Sequence, residues 1–543
     1  FNGDGKADFV CTSDWNKSWW DGYQLYLMPS TKNCLLTGIK DGLGNTTNIE
    51  YKYLTDDTVF KRGETNRYPL VSIGSSWPVV ASVSTPNGIG GTNVTSYRYE
   101  DALFHKNGRG LLGFAKCYVK DEATNTLTTT DYAVDKRAYV IAPSHSQTTI
   151  NNKVIDESDY TYTFKADYSY SIYFKHIYTY MPEMVHQRSY EFNTGELIKD
   201  VKTNYEYDNF GNTTKTIIKD GDVETITTNT FTNNTDKWFL GRLMESIVSK
   251  SYEGNTITRK SAFEYDQSSG LLSAEVFAPD NANLGYRKTY VHDNFGNIIK
   301  SVVSPLAHNS IERVTQTIFD TKGRNIIRSI NSLGFTETST FNEATGLVTT
   351  STDKNNIISN YTYDAFGNLV TASNPISKAL KTIGWSSKMP DAPTNALYFE
   401  WSKVTGQPAV IEFYDCLGRL LRKVTESING KKVCIDHTYN KRGLIEKSSE
   451  PYYIGDQPLW NWNEYDDAGR TTTQIASDGS RYTFQYAGLK TTVSDPLGHA
   501  STKVSNLNGL LVESIDNAGT SITYKYNPDG KCVETKGPRT TIS

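Results

Sequence analysis

The chain has 543 residues, with 56 Lys and Arg against 60 Asp and Glu, for a formal net charge of −4. That near balance, with no basic run or stripe, argues against a nucleic-acid partner, and no run of 18 apolar residues is available to span a membrane as a helix. Tyr is abundant at 36 and Met scarce at 5; Tyr and Thr favour a pleated, half-buried surface, so an all-β chain is predicted.

Such a length allows either several domains or one repeat array. Cys11, Cys34, Cys117, Cys416, Cys434 and Cys532 are scattered without a C-x-x-C pair, so no disulfide framework is called for and the compartment stays open. The first residues, FNGDGKADFV, carry no initiator Met, charged n-region or apolar h-region and read as a segment already in progress.

In chain order, Asn2, Asp4 and Asp8, with the Lys6 carbonyl and a bend at Gly5, supply two-thirds of a calcium loop, D-x-N-x-D-G-x-x-D. The same residues also read as a solvated turn between strands. Trp15, Trp19 and Trp20 fit the core of a propeller blade, or else an exposed platform. Residues 41–53, DGLGNTTNIEYKY, give a turn and an alternating strand. Gly108-Arg109-Gly110-Leu111-Leu112-Gly113-Phe114 lacks the G-x-x-x-x-G-K-[ST] of a phosphate loop; it reads as a close crossing of strands with Arg109 tying a loop. Thr161 to Phe174 alternates aromatic and polar residues after a slip near Ala166, as a two-faced strand does.

From residue 205 an aromatic-Asp/Asn turn recurs ten times: Tyr207-Asp208, Tyr265-Asp266, His292-Asp293, Phe319-Asp320, Phe341-Asn342, Tyr363-Asp364, Tyr414-Asp415, Tyr439-Asn440, Tyr465-Asp466 and Tyr526-Asn527. A glycine closes each, among them Gly211, Gly367, Gly418 and Gly469. The best-spaced steps are 22, 22, 25 and 26 residues, and weaker turns near Asn331, Asp353, Asp478, Asp495 and Asp516 fall between them. Each unit therefore reads strand, turn, strand, turn. Asp or Asn bonds the backbone two residues on, Gly supplies positive φ, and the tyrosine ring covers a neighbouring repeat. Ten copies make Tyr-Asp-x-x-Gly a construction unit rather than a catalytic signature.

Catalytic patterns are not found. The eight histidines show no H-E-x-x-H, there is no G-x-S-x-G elbow, and Asp56-Asp57 and Asp466-Asp467, read as neighbours on strands, point to opposite faces. No enzyme is expected. Asp495-Pro496-Leu497-Gly498-His499 reads as an ordinary turn, with Pro at its second position.

These units resemble the YD repeats of the RHS family, shared by bacterial RHS toxins, Tc toxin B and C components and teneurins. Gly108 to Phe114 resembles the G-R-G-hydrophobic-L-G-F signature, and Asp236-Lys-Trp-Phe-Leu-Gly-Arg242 the W-x-L-G-R segment, of Tc B and SpvB-like chains. The opening loop resembles an FG-GAP/VCBS propeller blade. The resemblance implies three regions: a blade end at 1–30, a Tc B/SpvB-type middle β region at 31–200, and a YD array at 201–543. It implies a β-sheet ribbon spiralling into a hollow, partial shell that holds a C-terminal toxic polypeptide. Partners would be that polypeptide or a companion RHS subunit, and a pore-forming delivery subunit. The location would be outside a bacterial cell, secreted or on its surface, with no cofactor beyond calcium at the opening loop. An autoproteolytic D-P-x-G-L core or toxin domain is expected beyond Ser543. The competing reading is a surface protein that binds carbohydrate or another cell.

Overall fold

The computed structural model describes residues 9–11, 24–26, 35–166, 178–307, 311–538 and 541–542. Asn2, Asp4, Lys6 and Asp8 lie outside them, as do Trp15, Trp19 and Trp20. Apart from one 3-10 turn at Ser386–Lys388, the regular structure is all β. Phe9–Cys11 and Gln24–Tyr26 form a separate antiparallel pair.

Everything else belongs to one long antiparallel ribbon. Gly38–Lys40 pairs with Thr46–Tyr53, which pairs with Pro78–Pro86, and from there successive strands pair in turn as far as Thr541–Ile542. There are two local departures. Phe60–Lys61, parallel, and Leu70–Ile73 both lie on Thr92–His105, and Tyr452–Tyr453 is an extra rung on Lys432–Tyr439. Among the described residues no pairing joins the first strands to the last, so the ribbon is open. Leu197–Tyr207 runs unbroken through residues 200–201, where a domain boundary was expected. Strands of 10 to 14 residues before it give way to strands of 5 to 8 residues in much of the repeat array.

In a meander, alternate turns fall on opposite edges. All ten aromatic-Asp/Asn turns lie on one edge, and the weaker turns lie on the other. Each of the ten carries a register shift at its aromatic, from Glu206/Tyr207 to Lys525/Tyr526. A bulge adds a residue to one strand, bends it and increases the right-handed twist. In the repeat array the bulges recur on this edge, whereas earlier strands also carry them beside the opposite turns, at Thr148/Thr149 and Ser189/Tyr190; with bulges so repeated the ribbon cannot stay flat, and it coils.

The wall is thin. A compact protein of 60.8 kDa exposes about 20,000 Å², whereas this chain exposes 33408 Å². Among the described residues sixteen apolar side chains are buried, and only eight of them gather into packed clusters, two in number. One is Leu54, Val59, Phe60, Ala81 and Ala102; the other is Phe413, Val424 and Cys434, covered by the loop through Met389, Ala392 and Ala396. Elsewhere, cross-strand pairs replace a core. One row of opposed residues reads Glu100, Lys116, Asp131, His145, Asp159, His186 and Lys202. Lys116 Nζ lies 2.8 Å from Asp131, and His145 Nδ1 lies 2.8 Å from Asp159.

Candidate functional site

The repeated turn is built from its first residue. Asp364 Oδ1 accepts the N–H groups of Phe366 and Asn368 at 2.9 Å each, and Oδ2 accepts the Asn368 amide at 2.9 Å. Gly367 sits at φ +85° and donates its N–H to the Asp364 carbonyl at 3.1 Å. The Asn368 amide, with the backbone N–H groups of Asn368, Phe366 and Gly367, holds the Asp364 carboxyl below the usual range. Asp208 with Gly211 and Asp293 with Gly296 repeat the pattern, closed by Asn212 and Asn297.

The tyrosines before the turns reach toward the preceding strands. Tyr207 donates to the Pro182 carbonyl at 2.7 Å and Tyr465 to that of Ile445 at 2.7 Å. Tyr414 instead donates to Glu412 at 3.0 Å and stacks on Tyr398 with ring centroids 5.1 Å apart. Tyr363 is half-buried on the same face as Tyr361.

Two turns differ. In Asp415-Cys416-Leu417-Gly418-Arg419 and Asp466-Asp467-Ala468-Gly469-Arg470, an arginine stands where the Asp208, Asp293 and Asp364 turns have asparagine. The turn aspartate binds its Nε, at 2.7 Å for Arg419 and 2.8 Å for Arg470. The far end of the guanidinium leaves the turn: Arg419 Nη2 donates to the Asn87 carbonyl at 2.8 Å, and Arg470 Nη1 to Glu191 Oε1 at 2.7 Å.

These contacts belong to a series. Asn45 Nδ2 donates to the Cys416 carbonyl at 2.8 Å, Asn151 Nδ2 to Asp467 at 2.7 Å, Asn508 Nδ2 to the Asp220 carbonyl, and Arg259 Nη2 to Asp529 at 2.6 Å. Both partners advance together, from 45 with 416 to 259 with 529, as in a spiral whose second coil lies on the first. The separation falls from 371 to 270 residues, yet about two dozen strands lie between the members of each pair. Strand number rather than residue number sets the girth, because sheet width grows by strand spacing. This seam joins the YD edge of the second coil to the weak-turn edge of the first.

The seam is polar and charged. Burial alone would raise the Glu191 carboxyl, but the N–H groups of Asn193 and Thr194 and the Arg470 guanidinium hold it below its ordinary range. Arg259 likewise holds Asp529 low. A Cβ on Gly488 would overlap the Glu196 carboxylate, and one on Gly221 would press on Leu507, so the coils touch there with no room for a side chain.

The Gly108–Phe114 segment forms a hairpin and a bulge. Gly108 and Gly110 take φ of +93° and +73°, Arg109 lies in the turn, and the register slips between Leu111 and Gly113. Gly113, at φ +145°, faces Ile141, and Phe114 packs on Tyr99 with centroids 4.6 Å apart. The slip expected near Ala166 runs into residues outside the described ones; within them the register shifts between Thr161 and Tyr162. Asp56 and the Asp466-Asp467 pair lie in turns rather than on strands. Asp495 closes an ordinary turn, accepting the N–H groups of Leu497 at 2.9 Å and His499 at 2.8 Å. Turn Asn506–Leu510 occupies a YD-edge position with Ser505 in place of an aromatic. Glu191, Arg419 and Arg470 were not singled out from sequence. The available signal was Gly-Arg in place of Gly-Asn after the turn.

Residues 1–148 match the family model described as the insecticide toxin TcdB middle/N-terminal region. No curated protein matches the sequence. Among solved structures, TcdB2-TccC3 superimposes with a TM-score of 0.70 at 12% identity, over 95% of this chain and 38% of that one. The same complex without its hypervariable C-terminal region gives 0.72 at 12% identity, over 95% and 39%. The Photorhabdus luminescens Tc holotoxin pore gives 0.69 at 11% identity, over 95% and 39%. The chain thus spans about two-fifths of the length of those chains. The first 148 residues thus resemble the TcdB middle/N-terminal region, and over nearly its whole length the chain shares the fold of these Tc toxin structures.

Proposed function

We propose that this ribbon is the wall of a Tc-type shell that encloses a toxic polypeptide and helps deliver it, and that it acts as a container rather than a catalyst. The observation that carries the reading is the seam, which lays one circuit of single-layer sheet on the next; a wall wound in this way would surround a space. About two dozen strands at about 4.8 Å each give a girth of roughly 115 Å and a width of about 35 Å. Wall side chains reduce the clear interior to about 25 Å, since packed layers sit about 10 Å apart. A folded 100-residue domain is about 33 Å across by its radius of gyration, so the space suits an unfolded or partly folded chain.

Four of the similar solved structures are of TcdB2-TccC3, and another is a holotoxin pore. By that likeness the partners here are a companion RHS subunit that brings the cargo and a pore-forming subunit that receives it, outside the producing cell. Asn2, Asp4, Lys6 and Asp8 are proposed to bind calcium weakly, which calcium titration of the wild type against Asp4→Asn tests.

Electron microscopy of the full-length gene product, with and without the cargo polypeptide, tests the container. Lumenal density that disappears when the cargo is deleted supports it. An open ribbon, or an interior unchanged by the deletion, overturns it.

A further inference from the structure

We propose that the residue following the turn glycine is the key that sets the register of one coil on the next, and that Arg419 and Arg470 are the two locking keys. The argument compares turns of one design on one edge. Asp208-x-Phe210-Gly-Asn212, Asp293-x-Phe295-Gly-Asn297 and Asp364-x-Phe366-Gly-Asn368 share one pattern. All three lie on the YD edge of the first coil, where Phe210, Phe295 and Phe366 are 51%, 65% and 92% exposed. Their asparagine amides donate back to the turn aspartate. What remains of their reach goes sideways within the same coil, from Asn212 to Asn233 at 3.4 Å and from Asn297 to the Gly323 carbonyl at 2.9 Å.

Two of the three Gly-Arg turns, those in which the aspartate N–H closes the turn on the arginine carbonyl itself (Asp415 on Arg419 and Asp466 on Arg470), lie where that edge meets the coil beneath. Asparagine is too short to serve both its own turn and another coil. Arginine gives Nε to the turn aspartate, with Nη2 also 2.7 Å from that carboxylate, and still has an N–H to offer a second partner. Because Nε is pinned, the direction of the fork is fixed, and it meets a particular hairpin rather than any hairpin.

The apparent exceptions obey the same chemistry. Asp320-Thr-Lys-Gly323-Arg324 also reads Gly-Arg, but its turn is one residue longer, and Asn325 takes the Oδ2 position at 2.9 Å, leaving Arg324 exposed. Three of the turns that begin with asparagine, at Asn440, Asn506 and Asn527, have no second carboxylate oxygen to pin an arginine. There the residue before the glycine makes the outward contact instead: Arg442 to the Asp466 carbonyl at 2.7 Å, Asn508 to Asp220, and Asp529 to Arg259. Arg442 reaches a neighbour in its own coil, and the other two cross the seam.

The inference rests on the seam geometry and not on what the shell encloses, so either can fail without the other. The test is amide hydrogen exchange on the whole chain carrying Arg419→Asn and Arg470→Asn. Asparagine is the residue used at the free edge, so turn closure is retained. Exchange in the hairpins Asn87–Gly91 and Glu191–Glu196 is expected to speed up by about tenfold or more, as loss of a charge-assisted bond implies. The turns at Asp415 and Asp466 themselves should hold. Asn368→Arg, at the free edge, should change neither hairpin. Unchanged exchange in both hairpins overturns the proposal, and so does equal acceleration along the whole ribbon. Should the double variant not fold, Arg470→Lys, which keeps the charge but loses Nε, decides. Faster exchange confined to residues 191–196 supports the key, and no local change overturns it.

Discussion

Arg470 and Glu191 lie 279 residues apart in sequence and 2.7 Å apart in space, with the Glu191 side chain only 1% exposed. Arg470 is held at the same time by Asp466 at 2.7 Å. A long-range contact of this kind has an energetic signature. Glu191→Gln keeps the shape and removes the charge, and the expected loss is about 2 kcal/mol in urea unfolding. In a double-mutant cycle with Arg470→Met, the coupling should be about 1 to 3 kcal/mol. A coupling near zero would mean that the coils are held together elsewhere.

The turn aspartates should not be equivalent. Asp415 is fully buried and accepts from Leu417 N, Arg419 N and Arg419 Nε, whereas Asp364 is exposed to solvent. Asp415→Ala leaves buried donors unpaired and should cost about 3 kcal/mol, against about 1 kcal/mol for Asp364→Ala. Matched denaturation curves check the ratio. Equal losses would show that the turn matters and the seam does not.

Stability should fall on the acid side. Asp364 is held low by the Asn368 amide and turn N–H groups, and Asp529 by Arg259; Glu191 is held low despite its burial. A carboxyl whose folded value lies below its unfolded value, about 4, binds fewer protons when folded. Its contribution is therefore present above about pH 4 and is lost as pH drops through the folded values. Urea midpoints should be flat from about pH 6 to 8 and fall below about pH 4.5. A midpoint unchanged down to pH 3 would contradict these assignments.

The cysteines should separate by reactivity. Burial pushes the Cys117 thiol up to about 11, while Cys532 is exposed. At pH 8 only about one Cys117 in a thousand is thiolate. A thiol reagent should modify Cys532 in the native protein and reach Cys117 only on unfolding. Rapid labelling of Cys117 in the folded chain would place it outside the wall.

Ten turns were legible in the sequence because their chemistry is local. An aspartate or asparagine needs only the N–H groups that follow it, and Gly418 at φ +76° needs only its missing side chain. The bulge at every aromatic was not legible, since register is a relation between two strands and the motif names only one. Turn Asn506–Leu510 was passed over because Ser505 replaces the aromatic that marks the others. The Gly108–Phe114 glycines suggest special backbone geometry from sequence, but that it is a hairpin turn and a bulge, with Gly113 approaching Ile141, depends on strands beyond the motif.

By itself, then, the sequence determined an all-β repeat ribbon, the chemistry of its turns and its family resemblance, all of which depend on residues within a few positions of one another. Only the tertiary structure decided that Asn87 meets Arg419 and Glu191 meets Arg470. Those contacts depend on twist accumulated over about two dozen strands, with bulges adding to it. A small change in the bend at each strand, summed over a circuit, would place a different hairpin beneath each arginine.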